Sequence, residues 1–282
     1  MRYSLLIVLL LLIKQGISQE NSELPFIKHL IDKEFFKEAI HLIDHDTTPY
    51  GEQQRDSINY YKGWAFYSLK RLEESTQSLL KVNRESAFFS KSYFFSGYNQ
   101  LYMGNYSEAR KIFGEMNIRS EPDLSLLNLE LGGLEMLEGN WTKSKELLDK
   151  INKENAALHH QVFALQEIRK EHETHHSKSP VLAGIMSGII PGSGKIYAGK
   201  TGSGIASMIG TIGFGFITWE NYRKAGITNA KTLLFGSIFA VNYVSNIYGS
   251  VISVKIIENE HKNAIQNQVL FQLHLPLRNF FE

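Results

Sequence analysis

The sequence contains no cysteine, so disulfide bonds and thiolate metal sites are excluded and stability must come from packing. An excess of charge is also lacking, because the formal net charge is only +1 and Lys and Arg are not gathered on one segment. This balance does not indicate a nucleic-acid partner, and we expect none. The 282 residues are enough for one large domain or two ordinary ones.

The amino terminus has the pattern of a signal peptide. Arg2 precedes an apolar run over residues 5–13, and the small residues Gly16 and Ser18 stand three and one positions from a cut after Ser18. The run is too short to span about 30 Å of hydrocarbon as a stable helix. We predict a signal peptide over residues 1–18, with an uncleaved anchor as the alternative. In both cases the chain that follows begins outside the cytoplasm.

An internal period runs through the front half of the chain. Glycines recur at positions 63, 97 and 132, which are 34 and 35 residues apart. Each glycine is followed by a matching set of side chains, namely Leu72, Ser75, Leu79 and Val82, then Tyr106, Ala109, Phe113 and Met116, then Trp141, Ser144, Leu148 and Ile151. A further unit, with its first helix near residues 24–32, is predicted from Phe36, Ala39 and Ile43.

This pattern resembles the tetratricopeptide repeat, a 34-residue unit of two antiparallel helices. The resemblance covers residues 22–155 as four units. A side chain at Gly63 or Gly97 would hold the neighbouring helix away, which explains the small residue. The sequence departs from the family at Gln100 and Glu135, where an aromatic is preferred, and at Lys62, where an apolar residue is usual.

The resemblance implies a concave groove formed by the first helix of each unit. Carried over by register, the predicted partner-binding positions are Tyr60, Trp64, Tyr67, Phe94, Tyr98, Leu101 and Tyr102. An aromatic groove of this kind suits an extended peptide or an amphipathic helix. The alternative is that some of these aromatics pack between repeats, since aromatic stripes at helical spacing often belong to a core.

A capping helix and a polar linker are predicted over residues 156–179. Within this segment His172, Glu173 and His176 fit H-E-x-x-H, which on a helix places two imidazoles on one face for zinc and a carboxylate nearby. The flanking residues are charged or polar, and Pro180 disfavours helix just before it. We therefore expect a solvated linker and no metal site, with a surface metal site or a zinc peptidase as the alternatives.

The back half is predicted to be a membrane domain over residues 180–262. Its apolar stretches cover residues 181–190, 205–219 and 233–254, and the third has 22 residues without a charge, which is enough to cross a bilayer. Two spans would place both ends outside and leave Arg223, Lys224 and Lys231 in the cytoplasm, as the positive-inside rule prefers. A third span through the first stretch, or burial as a soluble core, is the alternative.

A turn motif follows the first apolar stretch, formed by Pro191, Gly192, Gly194, Tyr197 and Gly199. It resembles the signature of an uncharacterised bacterial envelope domain, roughly Pro-Gly-Ala/Ser-Gly-Gln-x-Tyr-x-Gly, which often follows tetratricopeptide repeats. The two-transmembrane-helix domain is similar more distantly. Lys195 replaces the usual Gln. The resemblance implies an architecture and a location, and no chemistry.

The same region also matches the phosphate-binding pattern G-x-x-x-x-G-K-[ST] at residues 194–201, which ends in Lys200 and Thr201. Such a loop must leave a buried strand of a doubly wound sheet, and the apolar stretches that follow are typical of membrane helices instead. We therefore expect no nucleotide and no other cofactor.

The sequence thus predicts an all-α protein, with a tetratricopeptide-type solenoid followed by a small helical membrane domain. A tail over residues 263–282 includes residues 269–281, which alternate loosely and could be a short strand or an interfacial segment. We expect a membrane-tethered scaffold of the bacterial cell envelope, with its repeats on the periplasmic side, that binds a protein or peptide partner without catalysis. The alternatives are a zinc peptidase, a nucleotide-binding protein, and an accessory or regulatory subunit of a transport or membrane-protein assembly system.

Overall fold

The computed structural model describes residues 23–119, 121–152 and 157–281. All regular secondary structure in these residues is helical, in thirteen helices and no strand, which confirms the all-α prediction. The predicted signal peptide over residues 1–18 lies outside the described residues.

The described chain divides into two compact units. The first contains the residues up to Gln166 and those from Leu270 onward, and the second contains Glu167–Val269. The helices are α1 (Leu24–Asp32), α2 (Phe36–His45), α3 (Glu52–Ser68), α4 (Leu72–Leu79), α5 (Phe89–Tyr102), α6 (Tyr106–Glu115), α7 (Asp123–Leu137), α8 (Trp141–Leu148), α9 (His159–Thr174), α10 (Pro180–Ile189), α11 (Ser193–Ala198), α12 (Thr201–Ala225) and α13 (Ala230–Phe281). Helices α9 and α13 each contribute residues to both units.

The first eight helices form four consecutive pairs joined by equivalent tight turns. Each turn has one residue with a left-handed backbone, at Glu34, Lys70, Gly104 and Gly139, at intervals of 36, 34 and 35 residues. The next backbone amide then donates a hydrogen bond to the carbonyl five residues earlier, as at Asn105, at about 2.9 Å. This arrangement satisfies carbonyls that the end of a helix would otherwise leave unpaired.

Close packing within each pair occurs at the repeated glycines. A Cβ atom added at Gly97 would lie 2.3 Å from the ring of Phe113, and one added at Gly63 would lie 2.5 Å from Leu79. The third glycine, Gly132, has the same relation to the residue sixteen positions further on. The close helix contact expected at Gly63 and Gly97 is therefore present.

The side chains three residues after these glycines contact the turn that follows. In the second helix pair the ring of Phe66 lies under the guanidinium of Arg71, with its Cζ atom 4.6 Å from the ring centroid. In the third pair Asn105 Nδ2 donates a hydrogen bond of 2.9 Å to Gln100 Oε1. Gln100 stands where the tetratricopeptide repeat prefers an aromatic residue. It contacts the turn through a hydrogen bond to Asn105, whereas Phe66 contacts Arg71 through its ring.

Glu135 is the equivalent residue of the fourth pair, and its fully buried carboxylate binds several donors. Asn140 Nδ2 donates to it at 2.9 Å, Lys143 Nζ lies at 2.7 Å and Arg110 Nη1 at 2.5 Å. Burial alone would raise the pKa of Glu135, but these hydrogen bonds outweigh that effect and lower the pKa to about 2. The carboxylate therefore stays charged and links α6, α7 and α8.

The turn motif of the second unit depends on two glycines. Helix α10 ends before Pro191, and Gly192 has φ = +89°, with its Cα close to the carbonyl of Gly204. Gly194 lies against the carbonyl of Ala183, where an added Cβ would be only 1.9 Å from the oxygen. These contacts bring the short helix α11 directly against α10 and α12.

Hydroxyl groups complete the same turn. Gly194 N donates a hydrogen bond of 2.9 Å to Ser187 Oγ, which is also 2.7 Å from Ser250 Oγ of α13. The hydroxyl of Tyr197 accepts a hydrogen bond of 3.1 Å from the backbone amide of Ser179, beside the start of α10. The last glycine of the motif, Gly199, has φ = +98° and ends α11.

Among the described residues, two helices, α12 and α13, are long and apolar enough to cross a membrane. Only 11% of the most apolar window of α12 is buried, and 22% of that of α13. Large apolar side chains on these helices are open to the surroundings, with Ile209 69%, Phe216 71% and Val244 64% exposed. The first apolar stretch forms α10, whose 10 residues are fewer than the roughly 20 that a span needs.

The tail over residues 263–282 was expected to be a short strand or an interfacial segment, and the strand interpretation is wrong. Helix α13 continues to Phe281 and places Val269, Leu273 and Leu277 at helical spacing, each with 0% exposure. The strand interpretation failed because a loose alternation of apolar residues over this length also contains an i, i+4, i+8 stripe.

Candidate partner-binding groove

The seven predicted partner-binding residues differ widely in exposure. Tyr102 is open, with 60% of its surface exposed. Trp64 is half-buried. The others are buried, with exposures of 7% for Tyr60, 8% for Tyr67, 0% for Phe94, 6% for Tyr98 and 1% for Leu101. A partner can reach most of these positions only where the groups that now cover them move away.

Some of these aromatics contact neighbouring repeats. The ring of Trp64 stacks on Tyr67 at a centroid distance of 5.4 Å and meets Phe95 of α5 edge-on at 5.1 Å. The ring of Tyr60 stacks on Phe88 at 4.7 Å. Trp64 and Tyr60 therefore join consecutive helix pairs, as the packing alternative describes.

Two other members of the set contact the carboxyl-terminal part of α13. The hydroxyl of Tyr67 hydrogen-bonds Nε2 of His274. The ring of Tyr98 stacks on the imidazole of the same histidine, with a centroid distance of 5.1 Å and an interplanar angle of 20°. All three residues belong to the first unit. The chain's own carboxyl-terminal segment, residues 270–281, therefore lies against predicted groove positions on α3 and α5.

A third residue that contacts the same segment lies on α7, at Gly133. Gly133 directly follows a repeat glycine, as Trp64 and Tyr98 do. A Cβ atom added at Gly133 would lie 2.5 Å from Leu273 Cδ1 and 2.9 Å from its Cγ. The space that an aromatic ring fills in the two preceding units is thus filled here by Leu273, which is fully buried.

The repeat pattern did not predict Gly133, Leu273 or His274 as site residues. One signal was present, because a glycine stands at Gly133 where the register has Trp64 and Tyr98. That signal shows that space is available, but it does not show which segment fills it.

One buried carboxyl group on α7 was also missed. Glu130 has 0% exposure, and neither of its carboxyl oxygens has a hydrogen-bond partner among the described residues. Burial raises its pKa well above the usual range of a glutamate. In the repeat register Glu130 corresponds to Tyr61 and Phe95, so an acidic side chain replaces aromatic ones. The neutral form is favoured in the folded protein, and ionisation opposes folding as the pH rises.

The three residues of the H-E-x-x-H match do not share a helical face. Helix α9 contains His172 and Glu173 but ends at Thr174, so His176 lies outside it. Glu173 forms an ion pair with Arg169. In the described part of the chain, no group of three or more His, Asp or Glu side chains is placed to hold a metal ion.

The phosphate-loop match is not a loop between a strand and a helix. Residues 193–198 form helix α11, and Lys200 immediately precedes α12, which begins at Thr201. The described residues provide no strand from which a phosphate-binding loop could leave.

Comparison with known proteins finds no family model that matches the chain, no similar curated protein and no similar solved structure. The function must therefore be argued from the geometry of the chain itself.

Proposed function

We propose that this protein is a membrane-tethered scaffold of the bacterial cell envelope that binds a helical segment of a protein partner in its repeat groove, without catalysis. The four helix pairs, their equivalent turns and the close contacts at the repeated glycines support a tetratricopeptide-type solenoid over residues 22–155.

One observation carries the proposal for the groove. Positions on three successive first helices, Tyr67, Tyr98 and Gly133, contact one amphipathic helix, which is the segment 270–281. Helix-in-groove recognition uses apolar anchors one turn apart, and this segment supplies them at Leu273 and Leu277. These contacts support a helical segment, rather than a small substrate, as the occupant of the groove.

The proposal predicts that a partner in the cell contacts the open edge of the groove. A photoreactive benzophenone residue in place of Tyr102 is expected to form covalent adducts with a second polypeptide in native membranes. The same residue in place of Lys111, whose side chain is 64% exposed on α6, is the matched control and should form few adducts. Gel shifts with mass spectrometry measure both. The absence of a difference between the two positions would contradict the binding proposal.

The contacts of the tail also bear on membrane topology. Tyr67 and His274 touch, so the repeats and the tail must lie on the same side of any membrane that the chain crosses. An even number of crossings is then required between residues 166 and 270. Helix α12 and the apolar part of α13 supply two, and this supports the two-span arrangement over the three-span alternative.

Single-cysteine labelling can test this topology without background, because the chain has no cysteine of its own. Glu52→Cys and Asn263→Cys change exposed residues in α3 and α13, and Thr228→Cys changes the exposed loop between α12 and α13. An impermeant maleimide applied from the outside of the anchoring membrane is expected to label the first two variants. The Thr228→Cys variant should react only after detergent is added. Opposite accessibility of Glu52→Cys and Asn263→Cys would contradict two spans.

A further inference from the structure

The segment that occupies the groove has a simple pattern of contacts. Leu273 and Leu277, one turn apart, are fully buried, and His274 between them meets Tyr67 and Tyr98. On its other side Phe271 is 57% exposed. The segment therefore fits the groove through two leucines at i and i+4 and through a hydrogen-bonding ring directly after the first leucine.

The segment is also a poor helix by itself. Pro276 stands inside α13 and cannot donate the backbone hydrogen bond that its position requires. An internal proline strongly destabilises a helix that has no other support. The helical form of residues 270–281 therefore depends on the contacts of the groove, and a segment held in this way can be exchanged for another.

We propose that residues 270–281 are the resident occupant of the groove and that the external partner is an amphipathic helix with the same pattern, which binds by displacing them. The partner carries leucines at i and i+4 and a side chain after the first leucine that hydrogen-bonds Tyr67. This inference rests on the proposed function and adds to it the chemistry of the partner. A tethered segment competes at an effective concentration of the order of millimolar, so the unliganded groove stays closed.

In competition of this kind, the apparent affinity for an added ligand is the intrinsic affinity multiplied by the fraction of the protein whose groove is open. The probe is a fluorescein-labelled peptide of residues 264–281, and its anisotropy is measured with full-length protein in detergent. Leu273→Asp should weaken the resident segment and raise the affinity for the peptide at least tenfold over the unmodified protein. Phe271→Asp is the matched control on the exposed side of the same segment, and it should leave the affinity unchanged.

A disulfide gives a second measurement that does not depend on the stability of a variant. Leu273 Cγ, where a cysteine sulfur would stand, is 2.9 Å from a Cβ added at Gly133. This distance suits a disulfide, because an S–S bond of about 2.0 Å places each sulfur about 3 Å from the Cβ atom of the opposite cysteine. The double variant Gly133→Cys with Leu273→Cys should therefore oxidise within one chain. The oxidised form should bind the peptide at least tenfold more weakly than the same protein after reduction.

Each alternative result has a definite meaning. Equal binding by the oxidised and reduced forms, or failure of the disulfide to form, would overturn the proposal that the partner binds by displacing residues 270–281. A disulfide between two chains, formed when the single variants Gly133→Cys and Leu273→Cys are mixed, would identify a second copy as the occupant. Adducts at Tyr102 without any binding of the peptide would retain the scaffold function but overturn the proposed pattern of the partner.

Discussion

A chain with alanine in place of Gly194 is expected to lose the packed turn of its second unit. The new methyl group would lie 1.9 Å from the carbonyl oxygen of Ala183 and 2.7 Å from Ser187 Oγ. Backbone atoms cannot move away as a flexible side chain can, so α11 must separate from α10. The same shift would break the hydrogen bonds of Ser187 to Gly194 N and to Ser250.

We expect a loss of about 3 kcal/mol or more, at the upper end of what overpacking costs. Limited trypsin digestion in detergent should show it, since Lys195 lies within the turn motif and Lys200 directly follows it, and both would be cleaved faster. Gly202→Ala is the matched control, because an added Cβ there meets nothing within 4 Å. Equal digestion of the two variants would show that the turn tolerates a side chain and that its glycines are not required for packing.

Replacement of Trp64 with alanine is expected to destabilise the repeat unit by about 3 kcal/mol, the lower end of the range for a buried aromatic. Its ring contacts Tyr67 and Phe95 and packs against the core formed by Ile31, Ala39, Ile40, Ala65 and Phe66. This variant distinguishes partner binding from packing as the role of Trp64. A residue that only contacts a partner could be removed without loss of stability.

Denaturant unfolding followed by tryptophan fluorescence can measure this change. A Trp219→Phe background leaves the emission to the first unit, where Trp141 is the remaining tryptophan of the Trp64→Ala variant. Tyr102→Ala is the control from the same predicted set, and with 60% of its side chain exposed it should stay within about 0.5 kcal/mol of the parent. An unchanged midpoint for Trp64→Ala would mean that Trp64 is available to a partner after all.

Local pattern predicted the paired helices of the first unit and the long apolar helices of the second, but it did not predict the helical tail. The first helix was expected near residues 24–32 and is Leu24–Asp32. The repeated glycines predicted close contacts that occur at Leu79 and Phe113. Apolar runs without charge indicated the two helices that are long enough to cross a membrane. These features were readable because each depends on residues within about one repeat of each other.

The placement of residues 270–281 against α3, α5 and α7 was decided only by tertiary structure. Tyr67 and His274 are 207 positions apart, and no periodicity relates them. Pro276 argues against a helix locally, yet the tail is helical and Leu273 lies against Gly133. Likewise, the burial of Glu130 depends on which face of α7 is covered by the rest of the folded chain. The paired helices are determined largely by neighbours in the sequence, whereas the position of residues 270–281 depends on contacts made after the chain has folded back on itself.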